Sequence, residues 1–86
     1  MKDKITLYAV HDVKSEHYDI PFFASNDINA KRRYLMLAED NESMIGTFKD
    51  DFELCKLGDF EVETGKLIPD LQVVMTGKQI GKKEDK

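Results

Sequence analysis

The sequence predicts a small α+β fold: a mostly antiparallel four-stranded sheet covered on one face by a single helix, in the order ββαββ. Three observations carry this. Runs rich in β-branched and aromatic residues lie on both sides of the chain's middle, such as ITLYAV (5–10) and DFELCKL (51–57). One stretch, SNDINAKRRYLMLAED (25–40), repeats its apolar residues at helical spacing behind a capping signal. The third is GDFEVETGKL (58–67), where two apolar-bearing flanks surround Glu63-Thr64-Gly65 in the pattern of a β-hairpin.

The first strand, residues 5–10, places Ile5, Leu7 and Ala9 on one face and Thr6, Tyr8 and Val10 on the other. Apolar groups on both faces mark an interior strand, covered twice or lying at a subunit contact. A polar loop follows over 11–19. Pro21 rigidifies the approach to a second short strand, FFAS, because proline is tolerated at a strand start. In the helix, Ser25 or Asn26 can cap, and Asp27 lies in the first turn, where the helix dipole favours a carboxylate. Ala30, Tyr34, Leu37 and Ala38 follow helical spacing and are expected to face the sheet, with Arg32 on another stripe. The helix is expected to stop near Asp40-Asn41, ahead of Gly46.

NESMIGTFKD (41–50) reads as a loop that Met44, Ile45 and Phe48 can anchor to the core. In the third strand Phe52 and Leu54 point one way and Cys55 and Leu57 the other, and Gly58 invites a bulge or bend. Gly65 suits the left-handed position of a type I turn with a bulge. Pro69 either ends the pairing or confines its strand to an edge, and LQVVM (71–75) forms one more short strand or a segment that docks on a partner. The expected organisation is one domain over residues 1–75 and a basic, flexible tail over 76–86.

A chain of 86 residues has room for one core, and one of this size buries roughly 60% of its unfolded surface. Cys55 is the single cysteine, so an internal disulfide and a Cys-rich zinc site are both excluded. No apolar run approaches the length of a membrane span, and Met1-Lys2-Asp3-Lys4 does not read as a signal peptide, so a reduced cytoplasmic setting is expected. One helix covers one sheet face; the other stays wet unless a second copy covers it. A homodimer is therefore expected, with Tyr8, Val10, Phe22 or Phe23 as candidates for that face.

The net charge of −4 is unevenly placed. Residues 1–34 hold six Lys/Arg against five Asp/Glu, residues 35–70 three against ten, and residues 71–86 four against two. The acidic middle repels a phosphate backbone, so nucleic-acid contact must be local to the basic helix turn or the tail. Candidate phosphate contacts are Lys31, Arg32 and Arg33, with Lys82 and Lys83 as a second group. Tyr8, Phe22, Phe23 and Tyr34 are candidates to stack bases, against the plainer reading of core packing. Glu39, Asp40, Glu42, Asp50, Asp51 and Glu53 form an alternative acidic surface for a basic protein partner. His11, Asp12, Glu16, His17 and Asp19 are ligand types, but their polar loop lacks a metal-ligand register, and no metal or cofactor is expected. No serine or cysteine is expected beside a histidine, and no phosphate-cradling glycine loop occurs, so no enzyme is expected.

Taken together, LYAVHD, EHYDIPFFASND, the helix residues Ala30, Arg32, Tyr34 and Leu37, and DDFELCKLGDFEVETGKL followed by Ile68-Pro69 resemble the small nonstructural protein of gokushovirus-type microviruses, phages with circular single-stranded DNA genomes. The resemblance runs from about residue 5 to residue 73. The segment 42–49 lacks the proline such proteins often carry there, and the residues after Met75 are not covered. It implies a non-virion accessory protein of the host bacterial cytoplasm, DNA-binding or aiding the switch to single-stranded genome synthesis and packaging, with no agreed catalytic residues. The readings that follow are two. One is an accessory factor that binds single-stranded DNA. The other is an acidic module that contacts a phage replication or assembly protein or a host factor.

Overall fold

A computed structural model describes residues 4–82. The sheet is built around β1 (Lys4–Asp12), which pairs antiparallel with β4 (Phe52–Glu61) from Lys4↔Glu61 to Asp12↔Phe52. The other edge of β1 is shared by two short strands. β2 (His17–Tyr18) pairs with His11 and Asp12, and β3 (Phe22–Ala24) pairs with Thr6 to Tyr8. β5 (Leu67–Thr76) lies outside β4, giving the order β2-β1-β4-β5 with β3 beside β1.

β3 and β4 both run antiparallel to β1, so they are parallel to one another. α1 (Asp27–Glu39) joins them across one face of the sheet. This is a split β-α-β unit with the N-terminal strand inserted at its centre. α2 (Met44–Thr47) and a 3₁₀ turn (Lys49–Asp51) lead into β4, and α3 (Gly77–Lys82) follows β5.

α1 starts where the sequence predicts. Asn26 caps it, its side-chain oxygen accepting the Asn29 N–H at 2.8 Å, a contact worth about 1 kcal/mol. Ala30, Tyr34 and Ala38, one and two turns apart, form its buried stripe. They pack on Tyr8, Val10, Phe52 and Leu54, with Ile45 and Ile80 closing the core from α2 and α3. Full burial of a side chain such as Leu54 contributes roughly 1.5–3 kcal/mol, and this small core needs each such contact. Leu37, expected against the sheet, instead sits on the flank of α1 and lines an open groove with Val10, Met44, Ile45 and Phe52.

Two glycines answer to the chain's bends. Gly65 has φ 78 and closes the β4–β5 turn, its N–H donating to the Glu61 carbonyl at 2.8 Å. Gly58 has φ 154 at the point where β4 inserts Leu57 as a bulge opposite Leu7 and Tyr8. A Cβ on Gly58 would stand 2.3 Å from the Ile68 carbonyl oxygen, so β4 and β5 approach there only because no side chain intervenes.

The class is α+β with an antiparallel sheet, but the expected four-strand ββαββ order is corrected to five strands and three helices. The 11–19 loop is a hairpin: β1 runs on to Asp12 and turns through Val13–Glu16 into β2, with Glu16 at φ 64. The segments at 67 and 71–75 are one continuous edge strand, β5, which passes through Pro69. Residues 77–82, placed in the flexible tail by the sequence reading, form α3 and send Ile80 into the core at 8% exposure. The faces of β1 are also reversed from expectation. Tyr8 and Val10 point toward α1, and Phe22 stacks on Tyr8 at 6.0 Å; of the aromatic and aliphatic candidates for the open face, Phe23 alone lies there, packed on Phe60 at 6.5 Å.

Candidate functional site

The basic turn of α1 is the first candidate surface. Successive helical residues are rotated by about 100°, so Lys31, Arg32 and Arg33 fan out around α1, with Arg32 opposite the buried stripe and Lys31 and Arg33 on its two flanks. Arg32 and Arg33 are exposed and Lys31 is half-buried at the flank. None of the three pairs with a carboxylate among the described residues. Arg33 is held over the Phe22 ring at 4.6 Å from guanidinium to centroid. At that distance the cation is attracted by the negative face of the ring, which fixes where the guanidinium sits. The nearby Asp27 carboxylate accepts the Tyr8 hydroxyl at 2.6 Å; burial of Tyr8 and this carboxylate together push the phenol well above its ordinary pKa. Lys82 ends α3; its side chain, like Lys83, lies outside the described residues.

The acidic set is spread along the connection from α1 to β4. Glu39, Asp40, Glu42 and Asp50 are exposed, Asp51 is half-buried in the 3₁₀ turn, and the Asp40 carboxylate accepts the Glu42 N–H at 2.9 Å. Glu53 stands apart from them. It lies on β4 opposite His11, whose Nδ1–H donates to its Oε2 at 2.9 Å, and the Cys55 thiol donates to the same oxygen at 3.9 Å. These three donor atoms lie within 4.8 Å of one another, the one grouping among the described residues with the spread and mixed donor types of a metal site. The cluster is internally satisfied without an ion. Burial, with the Glu53 charge beside it, pushes the Cys55 thiol up to about 11, which keeps it protonated and unreactive at neutral pH.

The ligand-type residues of 11–19 do not come together in the structure. The Asp12 carboxylate accepts the N–H groups of Lys14 and Ser15, Asp19 accepts the N–H of Ile20, and His17 donates to the Ser15 carbonyl. They hold the hairpin. Only His11 joins a cluster, and its ring also stacks on Tyr18 at 4.2 Å. The signal for that cluster was the parity of Glu53 and Cys55 on one strand face. Its partner 42 residues away becomes visible only with the β1–β4 register.

The aromatics proposed to stack bases are mostly structural. Tyr8 and Tyr34 are buried at 1% and 0%, and Phe22 is engaged by Tyr8 and Arg33. Tyr34 carries a further peculiarity: its hydroxyl is buried with no hydrogen-bond partner among the described residues, and burial, with smaller effects from Glu53 and Cys55, pushes it up to about 12. A groove of about 460 Å³ runs between the β1–β2 hairpin and α2, lined by Val10, Tyr18, Leu37, Met44, Ile45 and Phe52, with Asp12 and Asp19 at its rim.

The described residues thus define a small split β-α-β protein that offers exposed surfaces: a basic helical turn on one side and an uncovered sheet face on the other. Residues 5–80 match the phage ORF5 protein family, and the chain belongs to that family; it is a phage protein. No curated protein and no solved structure matches it. No helix among the described residues is long and apolar enough to cross a membrane.

Proposed function

We propose that this chain is a nonenzymatic accessory protein of gokushovirus-type phages that supports replication of their single-stranded DNA genomes by weak phosphate contacts from α1. The observation that carries the reading is the run Lys31, Arg32 and Arg33 on consecutive helix positions, without carboxylate partners among the described residues and with Arg33 pre-positioned on Phe22. Three consecutive cations stand on one turn of an otherwise acidic protein, a local positive patch for a phosphate. Lys31 and Arg33 are about 200° apart around the helix, so a strand laid along it meets two of the three cations at once. Neutralising two phosphates gives a slope of about −1.4 in log affinity against log salt on single strands.

Fluorescence anisotropy of a labelled oligonucleotide across a salt series tests this. The expected result is binding at low salt, a slope near that value, and loss of binding in the Lys31→Glu, Arg32→Glu, Arg33→Glu triple variant. Absence of binding at low salt, or unchanged affinity in the variant, rejects the DNA contact. A second reading rests on the exposed acidic set Glu39, Asp40, Glu42 and Asp50, a surface for a basic phage or host protein. Capture from infected cells with and without nuclease separates the two: partners that survive nuclease favour the acidic surface.

A further inference from the structure

We infer that the sheet face opposite α1 is a homodimer interface, covered by the same face of a second copy of this chain. The inference is independent of the DNA reading, because the surface lies on the other side of the sheet. Strand alternation and the pairings Ile5↔Phe60↔Leu67, Leu7↔Gly58↔Pro69 and Ala9↔Cys55↔Val73 assign the residues of this face. Phe23 joins them opposite Leu7, and Leu71 falls between Pro69 and Val73 on the same side.

Its composition is that of an interior. Phe23 is 56% exposed, Leu67 65%, Leu71 63% and Val73 55%. These four side chains leave on the order of 400 Å² of apolar surface in water, the size of the largest patch on a typical monomer, which is often functional. The half-buried Ile5, Leu7 and Phe60 join Phe23 to the β5 side chains across the face, and a standard interface takes ~800 Å² per partner with its rim included. α1, α2 and α3 all contribute to the other side, so nothing in the described chain covers it.

Charge selects a second copy as the occupant. On the strands of this face the one carboxylate is Glu53, and it accepts the His11 Nδ1–H at 2.9 Å. Two identical faces brought together about a two-fold axis therefore meet apolar side chain to apolar side chain, with Glu53 already hydrogen-bonded within its own chain. Growth of the sheet edge to edge is the competing geometry. Pro69, which has no N–H, interrupts the outer edge of β5, and face-to-face packing also buries the side chains that edge pairing leaves in water. Packed this way, the pair is a two-layer sandwich with one α1 on each outer surface and the two basic turns facing solvent.

Sedimentation equilibrium of the full chain tests the inference, with a protomer mass of 9.9 kDa as reference. The expected result is a doubled mass that falls to the protomer value in a Leu71→Lys, Val73→Lys variant. The same substitution on the helix side, Met36→Lys, is expected to leave the dimer intact; Met36 is 72% exposed. Circular dichroism is recorded on each. The milder pair Leu71→Gln and Val73→Thr, at sites already more than half exposed in the single chain, is expected to raise the dissociation constant at least tenfold without altering the spectrum. A protomer mass for the native chain at every concentration overturns the inference and leaves the face to another partner. So does a dimer that Leu71→Lys, Val73→Lys fails to weaken. Neither result bears on the anisotropy assay, since a monomer still carries Lys31, Arg32 and Arg33.

Discussion

The two buried tyrosines should respond with opposite signs to loss of the same oxygen atom. Tyr34 is fully buried, and its hydroxyl has no partner among the described residues. A hydroxyl taken from water without a replacement bond costs about 1–3 kcal/mol. Tyr34→Phe removes that cost and leaves a void of one oxygen atom, which costs less than about 1 kcal/mol. A net gain of about 1 kcal/mol is expected, or about 4–8 °C in Tm for a domain of this length. Tyr8 is equally buried, but its hydroxyl donates to the Asp27 carboxylate at 2.6 Å. A hydrogen bond to a charged group contributes about 1.5–3 kcal/mol, and Asp27 is exposed enough for water to replace part of it, so Tyr8→Phe should lose about 1 kcal/mol. Urea unfolding at one fixed protein concentration measures both, which holds any contribution from self-association equal between the variants. The m-value should not change. A loss in Tyr34→Phe as large as that in Tyr8→Phe refutes the reasoning, since it means the Tyr34 hydroxyl is satisfied in the folded protein.

The remaining predictions concern pH and backbone. Cys55 is raised from 9.0 to about 11 and Tyr34 from 10.0 to about 12, so the folded state holds protons that the unfolded state releases. Stability from this source is complete below pH ~9 and is lost as pH climbs through 11 and 12; Cys55→Ala should flatten the first part of that decline in urea midpoints measured against pH. Gly58→Ala places a methyl against the Ile68 carbonyl at a φ of 154 and should cost on the order of 1–3 kcal/mol, read as a lower urea midpoint, whereas an alanine at Gly65 meets no atom within 4 Å and pays only for its φ of 78.

Much of this architecture is written locally. Asn26 announces the helix start, the spacing of Ala30, Tyr34 and Ala38 announces its buried stripe, and Gly65 announces the hairpin, because each depends on residues within one or two turns of chain. What escapes is decided at a distance. ITLYAV carries apolar side chains on both faces, so alternation cannot say which face the helix takes; Tyr8 settles it by reaching Asp27, 19 residues on. β2 is two residues long and has no periodicity to detect. GKQIGK reads as a tail because it holds one large apolar residue, Ile80, and the packing of that single side chain accompanies a helix. The cations at 31–33 are legible as a charge run and their exposure follows from helical rotation, but the seat of Arg33 on Phe22 needed the β3–α1 junction to be known.

The central position of β1 has a consequence for synthesis. The strand that emerges from the ribosome first of all the described elements finds its long partner, β4, only after some 40 further residues have been made. Until then its apolar flanks have two short strands and an undocked helix for company, and the nascent chain is at its most adhesive. Any fragment ending before residue 52 has no means of closing the sheet, so a frameshift or early stop there yields material for proteolysis or aggregation, with no partially competent product.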